Sequence, residues 1–399
     1  MPLHIADRRE RIAVATADLM LGAMVAAARP FRRRVRPLAP KRILVLRLER
    51  IGDLLMTLPA LADLRAIAPA AEIDLIVGSW NADLARAIDP VSRVMSLDAA
   101  WLARESQGQT LPSLVRAARR WRPGKYDLAI NFEPDIRSNL IVAASGATWT
   151  AGYGSGGGGP LLDVAIEYDT RAHTTDNARR LVSNIFETAV PDEVSPTLVV
   201  PAEAHENASR LLATAEQPLI GVHVSGGRAI KQWPPERFAD VARRLIETTG
   251  STIVLTGGPA DRSLVEGVKA SLPQSRVVDI AGHVDLLTLA GVLERLDLLV
   301  TGDTGPMHLA VAVGTPVVAV FGPSDPARYG PSGAYDRIVR IDLPCSPCNR
   351  IRLPPARCVG HTPDCLALIG PDKVFAAARE VLHESARAGT QPARSSTSA

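Results

Sequence analysis

The stretch Thr301-Gly302-Asp303-Thr304-Gly305-Pro306-Met307-His308 holds the densest set of residues suited to chemistry in this chain. The run Leu296 to Val300 before it predicts a buried strand. Met307 to Val313 predicts a helix that stops at Gly314, and Pro316 to Phe321 a second buried strand. Asp303 and Thr304 are good N-cap types, and Pro306 suits a first helical turn. Small residues let a ligand approach the backbone, and the free N–H groups of the helix start would face it, which is the chemistry of an anion site, most naturally for phosphate. An ordinary capped strand–helix turn uses the same residues, so capping chemistry alone leaves both readings open.

The elements that must position this turn are legible on either side of it. In the second half of the chain, Pro218 to Val224, Ser251 to Thr256 and Val277 to Ile280 read as strands. Pro234 to Thr248, Asp261 to Leu272 and Leu286 to Leu296 read as the helices between them. In the first half, Lys41 to Leu48, Glu72 to Val77 and Tyr126 to Phe132 read as strands, and Leu54 to Ala68 as one amphipathic helix. Strands alternating with helices imply mostly parallel sheets covered on both faces, an α/β class. Glycines cluster where strands end, at Gly226-Gly227, Gly257-Gly258, Gly282, Gly302 and Gly322. Ligands of open α/β sheets bind beyond those ends. The first helix turn lacks G-x-G-x-x-G, which weakens a dehydrogenase reading. The expected organisation is a basic extension over 1–40, a first Rossmann-like domain over 41–190 and a linker over 191–217. A second Rossmann-like domain over 218–370, a closing helix over 371–385 and a disordered tail over 386–399 complete it.

Composition bounds the partners. With 399 residues, 46% hydrophobic and 22% charged, the chain is long enough for two ordinary domains. Aromatics at 4% argue against stacking surfaces for single-stranded nucleic acid, and a net charge of +3 gives no general polyanion binder. The basic residues are uneven. Residues 12 to 28 form an apolar run broken by Asp18, with Arg8, Arg9 and Arg11 before it and Arg29, Arg32, Arg33, Arg34, Arg36, Lys41 and Arg42 after it. The run is short for a membrane span, Asp18 would be costly there, and the flanks do not suit a secretory signal. An interfacial helix lying on anionic lipid is the leading expectation, with a surface helix packed on the body or a disordered leader as the others.

All four cysteines lie in one stretch, Cys345, Cys348, Cys358 and Cys365, with His361 nearby. The readings are a structural zinc site, disulfide or redox pairs, and free thiols, and the spacing is not that of a standard finger. So few cysteines suit a protein of a reducing compartment.

Several motifs in order resemble glycosyltransferase family 9, the lipopolysaccharide heptosyltransferases. Arg47 to Pro59, RLERIGDLLMTLP, is similar to the family's amino-terminal signature, and Gly302 to Ala310, GDTGPMHLA, to its donor-site signature. Lys231-Gln232-Trp233-Pro234 resembles its lysine loop, and Gly322-Pro323-Ser324-Asp325-Pro326 the loop after the next strand. The resemblance covers about residues 41 to 383. It implies the GT-B fold, two Rossmann-like domains facing across a cleft. It also implies an inverting transfer from a nucleotide-sugar, typically ADP-heptose, to a lipid-linked glycan at the inner face of the cytoplasmic membrane, with no cofactor and no catalytic metal. Glu49 departs from the Ser or Ala the family often has, and the glycine-rich stretch 150–160 and the basic extension are not part of the common core.

On that resemblance Asp53 is the candidate base, where spacing alone favours a cap for the helix at Leu54. Lys231 would neutralise a departing diphosphate. Asp303, Thr304, Gly305 and His308, with Ser225 and Gly227, would contact the donor. Arg50, Asp135, Arg137 and Ser138 are candidates for the acceptor side, with ordinary loop polarity as the alternative. Gly156 to Gly159 read as a mobile acceptor loop or a tolerant surface loop. The competing classes are a sugar-nucleotide epimerase of the same fold, which would need no acceptor, and a non-catalytic nucleotide-binding envelope protein.

Overall fold

The computed structural model describes residues 2–5, 7–28, 36–102, 108–191 and 198–389. The chain divides into two units, Met1–Val199 and Val200–Ala399. Their elements are given in turn.

The first unit opens with α1 (Arg8–Ala28), followed by β1 (Arg42–Arg47), α2 (Ile51–Leu55), α3 (Leu58–Ile67), β2 (Glu72–Val77), α4 (Ala82–Arg86), β3 (Arg93–Ser96) and α5 (Leu111–Ala118). It continues through β4 (Leu128–Asn131), α6 (Ile136–Ala144), β5 (Trp149–Tyr153), β6 (Val164–Ile166) and α7 (Thr174–Phe186). Its six strands are all parallel, in the order β3-β2-β1-β4-β5-β6. The central strands are continuous apolar runs because helices cover both faces; Ile43, Leu44, Val45 and Leu46 are fully buried.

The second unit runs α8 (Ala202–Leu211), β7 (Leu219–His223), α9 (Pro235–Thr249), β8 (Thr252–Thr256), α10 (Arg262–Ala270), β9 (Val277–Asp279), α11 (Leu286–Leu293), β10 (Leu298–Gly302) and α12 (Gly305–Ala312). Then come β11 (Val317–Val320), α13 (Pro326–Tyr329), β12 (Arg337–Val339), α14 (Asp364–Ala367) and α15 (Pro371–Gly389). Its sheet is also six-stranded and parallel, in the order β12-β11-β10-β7-β8-β9. Counted from its own first strand, this is the same topology as the first sheet. Each half is therefore a doubly wound α/β fold whose chain reverses direction beside its first strand, between β1 and β4 in one and between β7 and β10 in the other.

Four expectations change. The single helix over 54–68 is two, because the chain turns at Thr57, the N-cap of α3, with Pro59 in the first turn of the new helix. The stretch 191–217 is not only linker: α8 lies in it and buries Ala204 and Ala208, packing on α11. The closing helix runs on to Gly389, so the expected tail begins inside α15, and residues 390–399 lie outside the described residues. The glycine-rich loop is closely packed rather than a tolerant surface loop. A Cβ on Gly156 would stand 1.9 Å from the Pro134 carbonyl oxygen. Asn139 donates to the carbonyls of Tyr153 (2.9 Å) and Gly157 (2.7 Å), and Asp18 of α1 accepts from the Gly158 N–H at 2.6 Å. The glycines are there for close approach.

Candidate active site

In the first half the chemistry gathers at the ends of β1 and β4, where the topology opens a crevice. The chain leaves β1 at Arg47, turns through Leu48-Glu49-Arg50 and enters α2. Asp53 sits in the first turn of that helix, and its Oδ2 accepts the Arg50 N–H at 3.1 Å. This capping bond comes from the third position of α2, not from the N-cap of a helix starting at Leu54. It does not use up the carboxylate, whose side chain keeps 26% of its surface exposed.

Beneath Asp53 lies Arg47, which is buried. Its guanidinium reaches Glu49 at 2.9 Å and the Asp53 carboxylate at 3.7 Å, and donates from Nε to the Asp53 carbonyl at 3.1 Å and from Nη1 to the Phe132 carbonyl. Burial alone would make this cation easier to deprotonate, but Glu49, Asp53 and Glu133 outweigh it and push its value up. Glu133, just past β4, is also buried and accepts from the Leu48 N–H and the Ser138 hydroxyl. Burial pushes its carboxyl up, against the Ser138 hydroxyl, the Arg47 charge and the Leu48 N–H, which favour the ionised form. Arg47 therefore ties the loop that carries Asp53 to the loop that follows β4.

Of the four residues expected on the acceptor side, Ser138 is buried and spent on Glu133. Arg50 donates to the Leu102 carbonyl at 2.7 Å and lies over the Trp80 ring. Asp135 caps α6 through the Arg137 N–H (2.8 Å) and pairs with the Arg137 side chain, which stacks on Trp101. Asp135 and Arg137 also line a cavity of about 350 Å³ together with His4, Glu10, Val14 and Gly156. The amino-terminal extension thus walls the same space as the acceptor candidates.

In the second half the chemistry sits at the ends of β7 and β10. Lys231, in the short turn Ala229–Lys231, donates from Nζ to Asp303 Oδ2 at 2.9 Å and to the Asp303 carbonyl. The two side chains are 20% and 12% exposed. Burial raises the Asp303 carboxyl, but Lys231, the Ser324 hydroxyl and His308 together hold it below the usual carboxylate range. Thr304 takes the N-cap position of α12 in extended backbone but makes no side-chain cap bond there; its hydroxyl lies 3.1 Å from that of Thr301. Thr304 and His308 are both buried.

The loop that brings Lys231 to Asp303 is itself built. Gly226 donates to Gln232 Oε1 at 2.7 Å, and a Cβ there would meet the Lys231 carbonyl carbon at 2.6 Å. Gly227 has φ +66° and donates to the Ser225 hydroxyl at 3.2 Å. Trp233 is buried, donates to the Ile369 carbonyl at 3.1 Å and packs edge-on against Phe238. Ser225 and Gly227 therefore shape the lysine loop.

Arg47, Glu133 and Ser324 were not singled out by the sequence. Arg47 and Ser324 lie inside quoted motifs, so a signal existed; Glu133 follows an apolar strand with nothing to mark its burial. Among the described residues no three of His, Cys, Asp and Glu are grouped to hold a metal ion. The four cysteines are free thiols. Cys345 is exposed, and Cys365 is buried, its thiol pushed up to about 11 by burial and by the neighbouring Cys348, Cys358 and Cys345. Among the described residues, the cysteines are thus not grouped as the expected structural zinc site requires.

Comparison with known proteins fits this geometry. The family model described as "Glycosyltransferase family 9 (heptosyltransferase)" matches residues 114–355. The chain is 26% identical over 319 residues to lipopolysaccharide heptosyltransferase 1 of Pseudomonas aeruginosa, covering 77% of this chain and 86% of that protein. A solved glycosyl transferase family 9 structure from Veillonella parvula superposes with a TM-score of 0.73 at 26% identity, covering 86% of this chain and 98% of that one. The ADP-heptose lipopolysaccharide heptosyltransferase II of Escherichia coli shares the fold with a TM-score of 0.71 at 22% identity, covering 86% and 99%.

Proposed function

The chain belongs to glycosyltransferase family 9, the heptosyltransferases, and from that premise we propose that it transfers a heptose-like sugar from a nucleotide-sugar, of the ADP-heptose kind, to a hydroxyl of a lipid-linked glycan of the lipopolysaccharide-core type. It is a glycosyltransferase by family. The donor, the acceptor, an inverting course and action at the inner face of the cytoplasmic membrane are the finer parts of the proposal. Relatives that match three quarters of the chain are lipopolysaccharide heptosyltransferases, and solved relatives hold ADP or an ADP-fluoroheptose.

In this reading the acceptor oxygen attacks the anomeric carbon as the bond to the diphosphate breaks on the opposite face. The proton of the acceptor hydroxyl passes to the partly exposed Asp53 carboxylate. The charge that develops on the departing diphosphate is met by the Lys231 ammonium and the first N–H groups of α12. Asp303 holds the ammonium in place. The observation that carries the proposal is the Lys231–Asp303 pair, a partly buried cation held beside the first turn of α12 where β7 and β10 end.

Asp53→Asn tests it. Transfer falls by about 10²–10⁴-fold while calorimetry shows the nucleotide donor still bound. Full turnover by that variant rejects the base assignment. A panel of intact nucleotide-sugars ranked by the rise in melting temperature identifies the donor.

A further inference from the structure

Helix α1 is apolar on two opposite sides, and the protein covers only one of them. At about 100° per residue, Val14, Asp18 and Gly22 form one side. Val14 is buried and would meet a Cβ at Gly157, Asp18 holds the Gly158 N–H, and Gly22 lies against Pro160. Ile12, Leu19, Met20 and Met24 lie roughly 100–160° round the wheel from the centre of that side, and all four are more than half exposed, Leu19 at 77%. This explains why the sequence of α1 is not clearly amphipathic although the helix lies on a surface. Arg8 and Arg9 fall on the same outer side at its first turn, and both are exposed. Of the acids of this region, Asp7 precedes the helix, Glu10 lines the cavity with Asp135 and Arg137, and Asp18 holds the Gly158 N–H.

We propose that the outer side of α1 docks on an anionic lipid surface, with Ile12, Leu19, Met20 and Met24 entering the headgroup boundary and Arg8 and Arg9 on the lipid phosphates. Charge complementarity favours that occupant: an apolar stripe ended by two arginines and free of acid matches an anionic interface. The first 42 positions hold ten of the 45 basic residues and three of the 42 acidic ones, so the remainder of the chain is net acidic and the basic charge is local. The stripe from Ile12 to Met24 is about 18 Å long and one helix wide, far below the ~800 Å² per partner of a stable protein interface. Among the described residues no helix is long and apolar enough to cross a membrane, which fits lying on it.

The placement matters because the covered side of α1 and the segment before it wall the cavity that holds Asp135 and Arg137. A docked α1 sets that cavity next to the lipid surface, where a lipid-linked acceptor would present its glycan. This consequence rests on the transferase reading; the lipid docking itself does not.

The test is sedimentation of the full chain with vesicles of phosphatidylcholine alone and with phosphatidylglycerol added. The protein is expected to pellet with anionic vesicles and not with neutral ones, and to be released by salt. Leu19→Glu/Met24→Glu, two exposed positions remote from the cavity wall, is expected to lower the bound fraction by at least ~10-fold with an unchanged melting temperature. Arg8→Glu/Arg9→Glu is expected to do the same without touching the apolar stripe. Equal binding by wild type and both variants overturns the proposal, as does no binding of wild type to either vesicle. A concentration-dependent dimer of wild type that Leu19→Glu/Met24→Glu dissociates, without vesicle binding, makes a second copy the occupant and also overturns it. Vesicle binding without any sugar transfer would sink the transferase reading and leave the docking intact.

Discussion

Replacing Lys231 by Met separates the two things the ammonium does. Its side chain and that of Asp303 are 20% and 12% exposed, and they meet at 2.9 Å. Removing one partner of a fully buried pair costs about 3–5 kcal/mol, because the other charge is left without compensation. Here the remaining exposure and the Ser324 hydroxyl soften the loss, so about 2–3 kcal/mol is expected. In a unit of this size that is a drop of ~5–10 °C in the melting temperature of the second half. The pH dependence has a definite sign. In the wild type the folded-state value of Asp303 lies below the ordinary one. The group therefore adds stability above the unfolded value and loses it as pH falls through the folded value. Without Lys231, burial dominates and the folded value rises, so the ionised carboxylate destabilises the variant at neutral pH. The gap between wild type and variant is then wider at about pH 7 than at about pH 5, because the variant takes up its proton at a higher pH than the wild type does. Melts of wild type, Lys231→Met, Asp303→Asn and Lys231→Met/Asp303→Asn at both pH values measure this, and the double variant should be more stable than Lys231→Met. Additive losses in that cycle, or a gap that does not change with pH, refute the argument.

Two further outcomes follow from the buried groups. Arg47→Met leaves Glu49, Asp53 and Glu133 without their shared cation, and is expected to cost about 3–5 kcal/mol in the first half, read as an early unfolding transition; a loss below ~0.5 kcal/mol would show that the network does not hold the loop. His223 is buried against Thr256, and burial, outweighing Asp261 and the Thr256 hydrogen bond, lowers its value to about 4. Its folded value lies below its unfolded one, so the stability it permits is complete above about pH 6.5 and is lost as pH falls toward about 4. Nitrogen-15 spectra at pH 5.5 should find this ring still neutral, and a protonated ring there contradicts the burial argument.

Much of the second half was legible because its central strands are short and mostly apolar and glycines follow most of them, at Gly226, Gly257, Gly282 and Gly322. The expected strand over 251–256 and helix over 234–248 fall within one residue of β8 and α9. In the first half β3, β5 and β6 were missed. The burial of β3 and β6 is partial along their length, so no apolar run marks them, and β5, Trp149-Thr150-Ala151-Gly152-Tyr153, holds no Val, Ile or Leu.

The chemistry of single residues was written locally: Asp53, Lys231 and Asp303 lie in motifs whose turns and caps depend on neighbours within a few positions. Only the tertiary structure decided what those residues touch. Arg47 donates to the Phe132 carbonyl, 85 positions on, because β1 pairs with β4. Lys231 finds Asp303, 72 positions on, because β7 pairs with β10. The glycines at 156–159 read as freedom, and became close packing only when Asp18 and Asn139 arrived from distant elements. Period and capping are set by forces that act over one turn of chain. Burial, and the partner that a buried charge requires, depend on which strands lie side by side.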